Sequence, residues 1–296
     1  MRLYLLPIST RRTLLYAQRL NAPTSERKTW SDWIQSKAAR TWSGWEQKDK
    51  GWQKSVVNYG NHLLRRIPYE EWGLKSVPPL SQRRRQAELQ GTDKVEVVYP
   101  KTLLSADKVP IILKLLATER DALHKRRLIW CFIGMPISAP IALLPVIPNL
   151  PFFYLVYRAW SHWRALSGGK HIQFLLTNNL LILTPSPILD DVYAAQKDPL
   201  PSTPEPTSNS NHEALDHPNP SAPPNAARKN RDGETMLLSQ TNGKKMTKAL
   251  DLPQLEVELE RAIWQVEAAM AKHNAEGGAA KTTTAEGTAD EDADKR

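Results

Sequence analysis

The chain has 296 residues, with 40 Lys/Arg against 31 Asp/Glu and a formal net charge of +9, a length sufficient to bury one large domain or two small ones. Residues 1–127 hold 25 Lys/Arg and 12 Asp/Glu, a net +13, whereas residues 246–296 hold 6 and 11, a net −5, so the basic front half calls for an anionic partner: phospholipid headgroups, nucleic acid or an acidic protein surface. The lone cysteine, Cys131, excludes an internal disulfide and a thiolate metal site.

Arg2, Arg11, Arg12 and Arg19 precede the first acid, Glu26, with Ser9, Thr10 and Thr13 among them. That is the composition of a mitochondrial presequence. The same stretch also reads as a first strand of the mature fold, from Leu3 to Ile8. Between Trp30 and Leu64, the residues Trp45, Trp52, Val56, Tyr59 and Leu63 recur at spacings of 7, 4, 3 and 4, which puts them on one helical face. Trp45, Trp52 and Tyr59 are expected to dock a partner helix there. Ile67 to Ser81 reads as a short helix bracketed by prolines, and Lys94 to Pro100 as a strand ended by proline. A second helix starts near Asp107 with Pro110 in its first turn and runs into His124-Lys125-Arg126-Arg127.

Leu128 to Tyr157 is a run of 30 residues without a charge. About 20 apolar residues suffice to cross a bilayer as a helix. Residues 128–147 supply that length, interrupted by Pro136 and Pro140, with Pro145, Pro148, Asn149 and Pro151 at a break. The expectation is a proline-broken transmembrane segment or a shallow hairpin. Arg158, Trp160, His162, Trp163 and Arg164 then mix aromatics with cations, as the water–lipid interface selects. Gly168-Gly169 is expected to close that helix. Leu180 to Pro185 reads as another strand.

The expected fold class is therefore a mainly α membrane protein with a few short β-strands. Residues 1–127 form a basic, Trp-rich, matrix-facing region and 128–171 the membrane segment with its interfacial helix. Residues 172–195 end the ordered body. A disordered linker (196–250), a C-terminal amphipathic helix (251–275) and an acidic tail (276–296) follow. In that helix Leu255, Leu259, Ala262, Val266 and Ala269 make a seam, suited equally to docking on this chain's own body or to dimerisation.

No HExxH, CxxC, GxSxG or GxGxxG occurs, and the seven histidines show no metal spacing. No catalytic residue, metal site or cofactor is expected, and the chain reads as a non-enzyme. From Ala122 to Leu189 there is no Asp or Glu in 68 residues. A proton-coupled carrier usually holds a titratable group at mid-membrane. The uncharged span Leu128 to Tyr157 holds neither a carboxylate nor a histidine, which favours an accessory or oligomer-forming subunit over a complete exchanger.

The run PVIPNLPFFYLVYRAWSHWRALSGGKH (Pro145 to His171) resembles the hallmark of the fungal mitochondrial K+–H+ exchange-related family. RLYLLPISTRRTLLY, LLRRIPYEEWGLKSVPPLS and KVEVVYP resemble it too, in collinear order over residues 1–195. The resemblance implies a mitochondrial inner-membrane protein contributing to potassium–proton exchange. Its partners would be inner-membrane lipids, K+ and H+ (directly or through another subunit), and a membrane protein or further copies of itself. The rival reading is a basic, membrane-attached scaffold for nucleic acid or ribosomes, which rests on charge alone, so nucleic acid is the less favoured partner.

Overall fold

The computed structural model describes residues 1–18, 20, 40, 44–45, 51, 54–55, 57–58, 66–140, 150–195 and 233–287. Its centre is a four-stranded sheet in the order β2-β1-β3-β4. Strand β1 (Arg2–Pro7) lies antiparallel to β2 (Thr13–Gln18) and parallel to β3 (Val95–Tyr99), which is itself parallel to β4 (Leu181–Pro185). Ser9 makes the reversal from β1 to β2, its Oγ accepting from the backbone N–H groups of Arg11 and Arg12. The helices are α1 (Tyr69–Ser76), α2 (Gln82–Leu89), α3 (Lys108–Thr118), α4 (Asp121–Ser138), α5 (Leu150–Thr177), α6 (Pro187–Ala194), α7 (Gln240–Ala249) and α8 (Pro253–Gly287).

Side chains alternate across a strand, and β1, β2 and β3 are covered on both faces, while β4 is an edge strand with Ile182 exposed. Leu3, Leu5, Val95 and Val97 pack on one face against Leu74 of α1, Leu113 of α3 and Ile172 of α5. Tyr4, Leu6, Leu14 and Val98 pack on the other against Leu189 of α6, Met246 of α7 and Leu255 and Leu259 of α8. Double burial explains why RLYLLP, TLLYAQ and VEVVY read as nearly continuous apolar runs.

The membrane-protein fold expected from the 30-residue uncharged run is corrected here. Among the described residues no helix is long and apolar enough to cross a membrane. The run is divided between two helices: α4 supplies only Leu128 to Ser138 before it ends, and α5 meets Arg158 eight residues after its start at Leu150. The observed class is mainly helical with a small mixed sheet. Helix α4 and the first half of α5 pair antiparallel as an arm, since His124 meets His162 while Gly134 meets Leu155.

Gly168 and Gly169 do not end α5, which continues to Thr177. A Cβ on Gly168 would lie 2.0 Å from the Leu74 carbonyl oxygen, and one on Gly169 would lie 2.9 Å from that of Ala117. The pair therefore lets α1 and α3 approach the α5 backbone. Of the stretch read as linker, residues 240–249 are α7, and Leu237 N–H donates to the Ile8 carbonyl at 2.8 Å. The C-terminal helix runs past Gly277-Gly278 to Gly287. Leu255, Leu259, Ala262 and Val266 of its seam are buried against this chain's own sheet.

Candidate functional site

A buried polar cluster joins α1, α4 and α5. Helix α5 carries Arg158, Ser161 and His162 at i, i+3 and i+4, hence on one face. Glu71, in the first turn of α1, is fully buried opposite them. The Arg158 guanidinium forks onto it, Nη1 donating to Oε1 at 2.8 Å and Nη2 to Oε2 at 3.1 Å, and Ser161 Oγ donates to Oε1 at 2.5 Å. Burial alone would raise the Glu71 carboxyl, but the charge of Arg158 and the hydrogen bonds from Ser161 and Arg158 outweigh it, and its pKa is lowered. Glu71 is therefore a fixed anion with its counter-ion in place.

The histidines extend this pair. Arg158 Nη2 lies 3.0 Å from His162 Nε2, and His162 Nδ1 lies 3.0 Å from His124 Nδ1. A guanidinium can only donate. His162 Nε2 thus accepts, its proton sits on Nδ1, and it donates to His124 Nδ1. His124 must then carry its proton on Nε2, which is buried with no acceptor among the described residues. Burial pushes the His162 imidazole down to about 4, Arg158 adding to the fall and Glu71 opposing it. Burial lowers His124 as well. Both rings are neutral near pH 7.

Glu71, His124 and His162 each offer a ligand atom, all within 4.8 Å of one another, as a metal site would require. They do not fit a metal. Ligation through His162 Nδ1 would move its proton to Nε2, against the donating Arg158 Nη2, and both Glu71 oxygens already serve as acceptors. The guanidinium is the cation of this site.

Beside it, Lys75 is 7% exposed and places Nζ 3.5 Å from the Trp72 ring centroid and 5.2 Å from that of Trp160, with the Tyr157 hydroxyl at 3.3 Å. Burial lowers this amine to about 8, with Glu71 and Glu258 opposing the fall. Arg261 of α8 stacks on the same Trp72 ring at 4.6 Å. A second buried pair ties α5 to α2: His171 Nε2 lies 2.9 Å from both Glu88 oxygens, and its Nδ1 donates to the Pro78 carbonyl at 2.8 Å.

Arg158 and His162, expected at a lipid interface, are interior. Arg164 donates to the Lys75 carbonyl at 3.0 Å and the Val77 carbonyl at 3.5 Å, closing the C-terminus of α1, where a cation suits the helix dipole. Trp160 and Trp163 are 39% and 50% exposed. Pro136 lies inside α4, Pro140 just beyond it and Pro151 in the first turn of α5, all three on the surface. Pro145, Pro148, Asn149, Trp52 and Tyr59 lie outside the described residues, and Trp45 is partly buried. Glu71, Ser161, Lys75 and His124 were missed as a group. The one legible signal was Arg158-x-x-Ser161-His162, three polar residues on a single face of an apolar helix that call for a buried partner.

Residues 2–176, more than half of the chain, match the family described as mitochondrial K+-H+ exchange-related. The chain is similar to an uncharacterized protein of Saccharomyces cerevisiae, 30% identical over 168 residues, covering 50% of this chain and 52% of the relative. It is similar to an uncharacterized protein of Schizosaccharomyces pombe, 31% identical over 169 residues, covering 57% of this chain and 72% of the relative. The match thus spans about half the length of the budding-yeast relative. No solved structure matches the chain. Glu71, His124, Arg158, Ser161, His162 and His171 all fall inside the matched region, and the chain belongs to the mitochondrial K+-H+ exchange-related family.

Proposed function

We propose that the chain is a non-enzymatic accessory subunit of K+/H+ exchange that acts at the mitochondrial inner membrane and does not carry the ions itself. The observation that carries this reading is the state of Glu71. Among the described residues it is, with Glu88, one of two buried carboxylates that pair with the acid-free stretch, and a proton carrier built on its arginine and histidine neighbours would need it to bind and release a proton near neutral pH. The Arg158 fork and the Ser161 hydroxyl hold it ionised, and the adjoining imidazoles are held neutral. A fully bonded ion pair gives a helix junction of fixed geometry, which suits a part that organises other subunits more than one that exchanges ions. Arg158 and Arg164 are also engaged internally, so neither is offered to an external phosphate.

Two assays test the reading. Mitochondria lacking the protein should swell more slowly in potassium acetate, and re-expression should restore the rate. The purified chain in liposomes should exchange K+ for H+ no faster than empty liposomes, and ionophore-independent exchange there would transfer the ion path to this chain. Unimpaired swelling in depleted mitochondria would remove the link to exchange altogether.

A further inference from the structure

The arm formed by α4 and the first half of α5 presents an apolar surface that is left exposed among the described residues. On α4, Ile129, Trp130, Phe132 and Ile133 are 46–60% exposed and Ile137 is 75% exposed. Phe153 and Val156 continue the surface on α5 at 63% and 40%. The packed side of α4 is narrow: His124, Cys131 and Ser138 are its buried residues, with His124 against His162 and Gly134 against Leu155 of α5. Seven large apolar side chains exposed on one arm mark an interaction site.

Its surroundings carry a charge pattern. Lys125, Arg126 and Arg127 are all exposed, and Arg126 stands one turn before Ile129 and Trp130 on the same face. Asp121, paired with Lys125 at 2.7 Å, is the last acid of the arm, and none follows before Asp190. Because His124 meets His162, the cations of α4 sit level with Trp160 and Trp163 of α5. Cations and tryptophans at one level, with aliphatic and phenyl groups beyond, form the profile of an anionic bilayer surface. An apolar protein groove would not account for the cations. Length limits the depth: Leu128 to Ser138 rises about 16 Å, near half of a hydrocarbon core of about 30 Å.

We infer that the exposed face of this arm docks on the surface of an anionic phospholipid bilayer, entering one leaflet without crossing it. The inference deepens the inner-membrane placement proposed above and rests on it. It reassigns the contact from Arg158 and Arg164 to Arg126, Arg127 and the outer face of α4.

Co-sedimentation of the full chain with vesicles, in the absence of any ion gradient, tests the surface apart from the exchange reading. Binding is expected to vesicles of equal parts phosphatidylcholine and phosphatidylglycerol and to be much weaker with phosphatidylcholine alone. Replacing both Arg126 and Arg127 with Gln should weaken binding roughly thirty-fold, the effect of two cations near an anionic surface. The pair Phe132→Asp and Ile133→Asp should abolish it. These side chains are exposed, so circular dichroism and melting temperature should match the parent. Tryptophan fluorescence should be quenched by bromine placed high on the acyl chains, less so in Trp130→Phe, and spared by bromine at their methyl ends. Equal binding to both vesicle types, insensitivity to the arginines, or quenching at the bilayer centre would overturn the proposal. So would a dimer in solution that binds no vesicles and dissociates in the Asp variants, which would assign the face to a second copy. Swelling in potassium acetate reports separately on the exchange reading.

Discussion

Two helices close the body in opposite ways. Helix α8 covers one face of the sheet with Leu255, Leu259, Ile263 and Val266, all buried among apolar neighbours. Helix α1 meets α5 over the other face through Glu71, Arg158, Ser161 and the His162–His124 pair. The first contact is tolerant, because apolar packing has no direction and any side chain of similar volume serves. The second is exacting, because the Glu71 and Arg158 charges are each buried on the condition that the other is present. One chain thus combines an adaptable junction with an unforgiving one, and the unforgiving one adjoins the arm.

The largest expected effect tests the exacting side. Glu71→Ala should cost about 3–5 kcal/mol in urea denaturation, because it leaves the Arg158 guanidinium buried and unpaired. The double change Glu71→Leu with Arg158→Met should recover most of that loss, and a double variant as unstable as the single one would show that the pair itself holds the junction. On the apolar side, Leu259→Ala should cost about 2–5 kcal/mol by leaving a cavity. No partner change should be able to rescue it except a larger neighbour.

Acid should separate the two junctions next. The pKa of His162 is depressed in the fold, so the stability it carries is complete above its ordinary value of 6.5 and is lost as pH falls towards about 4. Glu71 is depressed as well, and its share is lost below its ordinary 4.5. Melting temperature followed against pH should therefore drop through this window, with a shallower fall in His162→Gln. Leu259→Ala should instead lower the whole curve without changing its shape. The smallest effect is expected from Lys75→Met. The fold already disfavours the ammonium, lowering the amine to about 8, so its replacement should change stability at pH 7 by less than about 1 kcal/mol. A large loss would mean that the stacking with Trp72 and Trp160 outweighs the burial cost.

Much of the framework was legible in the residues. Strands β1, β3 and β4 follow from short apolar runs with proline at or just after their ends, and the Leu255/Leu259/Ala262/Val266 seam marks the face by which α8 docks. Two things were not legible, for different reasons. The uncharged run looked able to span a bilayer because a count of charges ignores where helices start and stop. With α4 ending at Ser138 and α5 starting at Leu150, no continuous apolar helix of that length forms among the described residues. The site was hidden by distance along the chain: Glu71 lies 87 residues before Arg158, and local periodicity carries nothing across such a gap. No acid occurs from Ala122 to Leu189, yet carboxylates arrive from other elements, Glu71 from α1 and Glu88 from α2. Gly168-Gly169 misled in the same way, because a helix stop and a close helix crossing use the same residue.

Strand β1 bears on how the protein reaches its compartment. It occupies an inner position in the sheet, hydrogen-bonded to β2 on one side and β3 on the other, and Leu3, Leu5 and Leu6 are wholly buried. The arginines that resemble an import address, Arg2, Arg11 and Arg12, lie within this strand and the turn after it. A processing protease cutting anywhere between Pro7 and Gln18 would excise an interior strand, open both cores and leave β3 as a raw edge. Address and architecture share the same residues, so an import signal in this segment has to be read while the segment is unfolded and then kept.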